Sequence, residues 1–244
     1  MNTANNCCAI PSQVNKNSTN DSLVDIGNPL LQHAHRYWLP LKSNLKSTVD
    51  SYLCHNVYYE TGTARCHLAA LLCNLVDVIS TLSIYCVEFL SEKIEKDIFP
   101  LFSRVLDAFL KSAKDLTLTE NDQDVFVAIS DCLENLFSKR KLGIALQTSI
   151  PSLSALILPF LAYEGTVGDK AFETLKTILA VKFDFSLRSL YHLSCTKFPE
   201  RPILKNQITP EDDNVLCDEH SNILRNRCLD LIQFIEKEPE LPLY

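Results

Sequence analysis

Glycine is scarce in this sequence, with 5 residues in 244 where about 17 would be usual. Turn-rich β folds depend on glycine at left-handed backbone positions, and phosphate-binding loops depend on it for close backbone approach. None of the five glycines falls in a dinucleotide-binding or P-loop arrangement. The scarcity disfavours an all-β fold and both of these nucleotide-binding classes.

Excess positive charge is also lacking. Lys and Arg number 23 against 30 Asp and Glu, which gives a formal net charge of -7. Proteins that bind nucleic acid neutralise phosphates with Lys and Arg. The one dense basic cluster is Lys139-Arg140-Lys141, at a predicted helix end, where the helix dipole alone favours cations. The sequence predicts no nucleic-acid partner.

A secretory pattern is missing as well. Residues 1–22 are polar and do not resemble a signal peptide, and the 10 cysteines lack the compact framework of small secreted domains. Several of these cysteines lie on apolar helix faces, where free Cys behaves as a small hydrophobic residue. We expect a reducing compartment, the cytoplasm, with the nucleus as a second location.

One apolar run, residues 68–90, has the length of a membrane span. Asp77 lies in its middle and would cost about 2.5–3.5 kcal/mol at the centre of a bilayer. Further polar groups are spread along the run. We therefore predict two buried helices joined near residues 81–83, and no membrane association.

Helical periodicity dominates the chain after a polar start. Residues 1–27 are rich in Asn, Ser and Thr and are predicted to be disordered. Residues 28–244 are predicted to form a helical repeat domain with a long loop at about 198–217. Apolar stripes predict helices over 30–38 (ending at Pro40), 41–53, 68–79, 84–90, 94–110, 125–137, 152–163, 172–179, 185–193 and 223–235, with a loop at 55–63.

Prolines and capping signals punctuate these helices. Thr119-x-x-Asp122 and Thr166-x-x-Asp169 each predict a helix start. Pro100 is predicted to bend or restart a long helix, and Pro159 to interrupt a second one; the two proline-containing segments, which start at Asp97 and Leu146, begin about 50 residues apart. Paired helices at such spacing predict an all-α fold, an α-solenoid of HEAT or armadillo-like repeats. A compact helical bundle is the alternative.

No motif for chemistry is visible. Cys54-His55 and Cys66-His67 lack the tight spacing of zinc ligands, and Cys66 and Cys73 share a Leu-rich stripe that predicts a core role. The histidines stand in no nucleophile or metal signature. The sequence predicts no catalytic, cofactor-binding or metal-binding residue and no cofactor. An α-helical enzyme would require His67 or His192 beside an acid in a deep cleft.

A family resemblance covers about residues 29–236. It is carried by "HAHRYWLPLKSNL", "FLSEKIEKDIFPLFSRVLDAFL", "ALQTSIPSLSALILPFLAYEGTVGDKAFETLKTIL", "DFSLRSLYHLSC" and "RNRCLDLIQFIEKE". Individual marks are Trp38, Pro40, Lys96-Asp97, Pro100 and Leu190-Tyr191. In these features the chain resembles the C-terminal HEAT-repeat region of the Tel-two-interacting-protein-one family, the large subunit of the TTT co-chaperone complex.

The resemblance implies a scaffold without catalysis. Its expected partners are the other TTT subunits, with Hsp90 adaptors and phosphatidylinositol-3-kinase-related kinases, including TOR, as indirect partners. Family members are much longer, so the resemblance implies a fragment, a short isoform or an incomplete gene model. It also implies that Tyr37 and Trp38 lie at an exposed solenoid end and lower the solubility of the chain. A generic HEAT or armadillo-type adaptor in transport or cytoskeletal assembly is the alternative function.

Overall fold

A computed structural model of the protein describes residues 29–58, 62–112, 116, 118–180 and 216–237. Within these ranges the chain is all-α and contains no strand, which confirms the predicted class. The predicted disorder of residues 1–27, the predicted helix 185–193 and almost all of the predicted loop 198–217 lie outside the described residues. The helices are α1 (Pro29–Tyr58), α2 (Gly62–Tyr85), α3 (Val87–Ser91), α4 (Phe99–Ser112), α5 (Glu120–Ser138), α6 (Arg140–Ala145), α7 (Ile150–Ile157), α8 (Gly165–Leu179) and α9 (Leu216–Lys237).

The helices pack around one hydrophobic core. α2 lies against α1 and α5, and α5 lies against α2 and α8. α4 contacts both α1 and α7, and α9 packs on α8 and on the 3₁₀ turn Leu158–Ala162 that extends α7. The largest fully buried side chains include Tyr52, Tyr163, Phe102, Phe109, Phe126 and Phe160. Their removal from water is the main favourable contribution to folding.

The predicted helix break at Pro40 is wrong, because α1 runs without interruption from Pro29 to Tyr58. Pro40 is exposed, whereas Trp38 before it and Leu45 after it are buried on the same face. Packing on both sides of the proline therefore outweighs the roughly 3 kcal/mol that a proline costs inside a helix. The same helix also shortens the loop predicted at 55–63.

The predicted break at 81–83 is also wrong, because α2 continues to Tyr85 and the chain leaves helical geometry at Cys86. The hydroxyls of Thr81 and Ser83 donate to the carbonyl oxygens of Asp77 and Ser80, so both residues are accommodated inside the helix. By length and composition alone, residues Thr63–Tyr85 could cross a membrane. Only 28% of the most apolar part of this helix is buried within the fold, so the prediction that the run is buried is wrong for most of it.

Pro100 restarts a helix, as predicted. A π-helical turn, Ile94–Ile98, precedes α4, and Pro100 occupies the first turn of α4. Because proline has no N–H, it cannot donate to the carbonyl of Lys96, and the N–H of Phe99 donates to Ile94 five residues back. The predicted interruption at Pro159 is confirmed by the 3₁₀ turn Leu158–Ala162.

The two capping signals behave differently. The Thr119 side chain accepts a hydrogen bond from the N–H of Asp122 at the start of α5, as predicted. Thr166 does not cap α8, because the helix already begins at Gly165, whose φ of 61° suits glycine. Of the basic cluster, Lys139 follows the end of α5, but Lys141 lies in the first turn of α6 and pairs with Glu88.

Replacing Thr119 by Ala should lower the free energy of unfolding by about 1–2 kcal/mol, because the start of α5 loses its cap. Thr166→Ala is the matched control and should change it by less than about 0.5 kcal/mol. Urea denaturation followed by circular dichroism measures both variants. Equal losses in the two variants would contradict the assignment of Thr119 as the cap.

Candidate interaction surface

A buried carboxylate joins three parts of the fold. Asp122, at the start of α5, is 3% exposed. Its carboxylate accepts a hydrogen bond from the hydroxyl of Tyr52 on α1, and Nη2 of Arg65 on α2 lies 2.6 Å from both of its oxygens. The hydroxyl of Thr119 donates to the same carboxylate at 2.7 Å. One side chain thus fixes α1, α2 and α5 relative to each other.

Burial and a neighbouring charge hold the Tyr52 hydroxyl in its protonated form. Burial, followed by the negative charge of Asp122, raises the pKa of Tyr52 far above its ordinary value of 10.0, so its hydroxyl stays protonated and donates. The Arg65 guanidinium carbon lies 5.6 Å from the centre of the Tyr52 ring, in cation–π geometry. The cluster therefore has a positional role, with its titratable groups already paired.

A second carboxylate ties α1 to the π-helical turn. Asp97 accepts hydrogen bonds from the indole nitrogen of Trp38 at 2.9 Å and from Nζ of Lys42 at 2.6 Å. Burial acts to raise the pKa of Asp97, but the hydrogen bonds from Lys42 and Trp38 outweigh it and hold the pKa below its ordinary value. Trp38 is itself buried against Phe89, so the prediction that it lies at an exposed end is wrong, whereas Tyr37 is exposed.

Similar ion pairs and hydrogen bonds join α5 to α8. Nζ of Lys170 on α8 lies 2.5 Å from Asp131 and 3.0 Å from Glu134, both on α5. Thr174 adds a hydrogen bond to Glu134 at 2.8 Å. Burial acts to lower the pKa of Lys170, but its bonds to Asp131 and Glu134 raise it overall. The ammonium group therefore remains charged between α5 and α8.

Arg227 docks α9 in the same manner. Its guanidinium donates to the carbonyl oxygens of Leu161 and Tyr163, and Nη2 lies 2.7 Å from Asp169. A Cβ atom at Gly168 would lie 2.0 Å from both Nη1 of Arg227 and the Tyr163 oxygen. Gly168 is thus required for this close approach.

Breaking the Asp122 cluster should be costly. Asp122→Ala leaves the charge of Arg65 and the hydroxyl of Tyr52 without their acceptor, and we expect a loss of about 3 kcal/mol in the free energy of unfolding. The control is Asp50→Ala, which removes a half-exposed ion pair with Arg104 and should cost less than about 1 kcal/mol. Chemical denaturation measures the free energy of unfolding of both variants. A loss for Asp122→Ala as small as that for Asp50→Ala would contradict a central role for Asp122.

The depressed pKa of Asp97 predicts a specific pH dependence. Stabilisation from its ionised form is fully present above the pKa of an unfolded aspartate and is lost as the pH falls through the lower pKa of the folded state. Asp97→Asn should therefore be less stable than the native protein at pH 7, and its stability should fall less steeply on acidification. Asp230→Asn, at an exposed position on α9, should keep the native slope. Thermal melting between pH 7 and pH 3 measures this difference.

One broad face of α1 and α2 is not joined to another helix by such ion pairs and hydrogen bonds. Ser80 of α2 accepts a hydrogen bond from Asn135 of α5, which shows which edge of α2 points toward α5. At 100° per residue, Leu71 and Val78 lie on the opposite edge, and their side chains are 47% and 46% exposed. Tyr37, 54% exposed, lies about 140° around α1 from Asp50, the residue that pairs with Arg104 of α4.

We call this surface the open face. Its described members are His33, Tyr37 and Asn44 of α1, with His67, Leu71, Asn74, Val78, Thr81 and Tyr85 of α2, and half-buried Leu68, Leu75 and Leu82 at its floor. None of these side chains is acidic. Four of the eight exposed large hydrophobic side chains in the described part of the chain lie on this face, which makes it the strongest candidate for a contact surface: Tyr37, Leu71, Val78 and Tyr85.

Reactive side chains are not gathered into a site within the described ranges. No group of three or more His, Cys, Asp or Glu residues there could hold a metal ion. Cys66 is exposed and Cys73 half-buried, so the prediction of a core role fails for Cys66. Burial, and then the charges of Asp124 and Asp77, raise the pKa of Cys73 to about 11, which disfavours a reactive thiolate. His67 is exposed, and His192 lies outside the described residues.

Comparison with known proteins adds no further constraint. No protein-family model, curated protein or solved structure matches this chain. Its function must therefore be inferred from its own residues and contacts.

Proposed function

We propose that the protein is a non-catalytic scaffold whose helix pairs stack as a HEAT or armadillo-like solenoid. The observation that carries this proposal is the order of contacts. α1 and α2 form one pair, α4 and α5 a second, and α7 with its 3₁₀ extension and α8 a third. Each second helix packs on the next second helix, and each first helix on the next first helix. Contacts between successive neighbours are typical of solenoids.

The ion pairs and hydrogen bonds between helices support a scaffold rather than an enzyme. Asp122 links the first and second pairs, Lys170 links the second and third, and Arg227 links the third to α9. Each of these charged side chains is satisfied by groups on neighbouring helices, so it contributes to a rigid frame. A rigid frame with an exposed apolar end is suited to binding other helical proteins.

Within this class we propose a role in the TTT co-chaperone complex. Support comes from the resemblance of residues 29–236 to the Tel-two-interacting-protein-one family and from two of its marks, Trp38 and Asp97, which bond to each other at 2.9 Å. The chain would bind the other TTT subunits and, with Hsp90, support the stability of phosphatidylinositol-3-kinase-related kinases, including TOR. It would act in the cytoplasm and nucleus.

Affinity purification of the tagged chain from cells, followed by quantitative mass spectrometry, tests this role. We expect the Tel-two subunit and the second Tel-two-interacting subunit to be enriched over an unrelated helical-repeat protein carrying the same tag. Depletion of the chain should lower the protein level of the kinases without lowering their messenger RNA. Recovery of transport or cytoskeletal proteins without either subunit would instead favour the generic adaptor and contradict the TTT role.

A further inference from the structure

We propose that the exposed side of α2, at the open face, is a stacking surface for the end helix of another helical-repeat protein. That helix would pack on α2 in the way that α2 packs on α5. The inference rests on the scaffold function proposed above, because it extends the same row of helices. It does not require that the partner be a TTT subunit.

Three equivalent positions lie on the same side of α2, α5 and α8. Each set starts one residue before a fully buried residue, Leu72, Ile129 or Ala171, and continues four and then three residues later. At 100° per residue, equal offsets from the buried residue give equal directions around each helix. The sets are Leu71, Leu75 and Val78 on α2, Ala128, Cys132 and Asn135 on α5, and Lys170, Thr174 and Thr177 on α8.

On α5 and α8 these positions point toward the preceding helix of the three. Lys170 and Thr174 of α8 both donate hydrogen bonds to Glu134 of α5. Asn135 of α5 donates a hydrogen bond to Ser80 of α2. The equivalent side of α2 is therefore the side on which α5 and α8 each receive a neighbouring helix.

Burial shows the effect of such a neighbour. Cys132 and Thr174 are fully buried, whereas Leu75 at the equivalent position of α2 is half-buried. Leu71 and Val78 are 47% and 46% exposed, whereas their equivalents on α5 and α8 are only half-exposed or less. An apolar side with this pattern of exposure is the side that a further helix of the row would cover.

The opposite end of the row is closed by α9. Nη2 of Arg227 lies 2.7 Å from Asp169 of α8, and Nζ of Lys176 lies 5.1 Å from the centre of the Phe234 ring. The exposed residues of α9 are Asn222, Arg225, Asn226, Leu229, Asp230 and Gln233. Terminal units of helical arrays need such a polar outer surface to remain soluble. α9 meets this requirement, and the exposed side of α2 does not.

A second copy of the chain has no suitable end helix. One end of its row is the polar outer surface of α9, and the edge of its α2 that lies near Ser80 is already covered by α5. Its open face is a receiving side like the first. Head-to-tail stacking of two copies would therefore place apolar Leu71 and Val78 against polar side chains.

The parts of this chain outside the described residues also match the surface poorly. Residues 1–28 are rich in Asn, Ser and Thr and contain no apolar stripe. Residues 181–215 predict one short helix, 185–193, about 14 Å long, whereas the α2 surface extends about 21 Å from Leu71 to Tyr85. Residues 238–244 contain Pro239 and Pro242, which prevent a helix of this length.

A partner protein with an end helix as long as α5 or α8, which have 19 and 15 residues, would cover the surface. The residue types define the chemistry of that helix. Lys170 of α8 meets carboxylates on α5, but the equivalent residue of α2 is Leu71. The partner helix must therefore present an apolar edge, because a carboxylate there would be buried without a cation.

Site-specific crosslinking of the full chain in cells tests the proposal. A photo-crosslinking phenylalanine analogue is placed at Leu71 or at Val78, and the crosslinked peptides are identified by mass spectrometry. We expect both positions to crosslink to the apolar edge of an end helix in a helical-repeat protein. The matched control is Leu229, which is 41% exposed on the outer surface of α9 and should not crosslink to that protein.

The double variant Leu71→Glu, Val78→Glu should weaken binding of the crosslinked partner by roughly a hundredfold, because it places carboxylates against an apolar edge. Leu229→Glu should bind it normally. Circular dichroism establishes that the variants are folded, and Leu71→Gln, Val78→Thr replaces the double variant if the glutamates prevent folding.

Crosslinks to a second copy, to residues 1–28, 181–215 or 238–244 of the same chain, to a protein without helical repeats, or to no protein would each overturn the proposal. Unchanged binding by the double variant would do the same. A helical-repeat partner outside the TTT complex would support the stacking surface but not the TTT role. Copurification of TTT subunits without crosslinks at Leu71 and Val78 would support the TTT role and overturn the stacking surface.

Discussion

The carboxylate of Asp122 is the point on which the arrangement of the first helices depends. Apolar burial supplies most of the folding free energy, but it is non-directional and would tolerate α2 sliding along α5. A buried carboxylate that must satisfy Tyr52, Arg65 and Thr119 together allows only one register. Displacement of Tyr52 or Arg65 would leave a buried polar group without a hydrogen-bond partner, at a cost of several kcal/mol. We infer that this cluster selects one packing among several that the apolar surfaces would permit.

Whether a proline interrupts its helix depends on the packing around it. Pro100 lies where the chain changes from a π-helical turn to α4, and that turn carries Asp97 to its bonds with Trp38 and Lys42. Pro159 lies in the 3₁₀ turn whose end supplies carbonyl oxygens to Arg227. Both prolines thus lie next to residues that form hydrogen bonds between helices. Pro40, on the exposed side of a helix that is well packed before and after it, leaves α1 continuous.

The sequence predicted the structural features that depend on residues close together in the chain. The all-α class, the Thr119 cap and the restart at Pro100 follow from local patterns of three to five residues. The bonds of Trp38 to Asp97 and of Tyr52 to Asp122 join residues 59 and 70 positions apart, and no local pattern pairs them. Cys66 failed for a related reason: its apolar neighbours predicted burial, but it lies just beyond the edge of the buried stripe. Apolar periodicity shows which side of a helix is buried, but it does not show where the packing against that side ends.

α2 carries more apolar side chains than its contacts with the rest of the fold bury. Its buried residues, including Leu72, Val76 and Ile79, form a stripe against the core, and Leu68, Leu75 and Leu82 are half-buried at the border of that stripe. Leu71 and Val78 lie beyond them and are exposed, next to the polar side chains of Asn74 and Thr81. A helix surrounded by lipid would be apolar all round, whereas a helix between two protein surfaces needs two apolar stripes with a polar strip to water. α2 is not apolar all round, because Asn74, Asp77 and Thr81 interrupt its apolar surface.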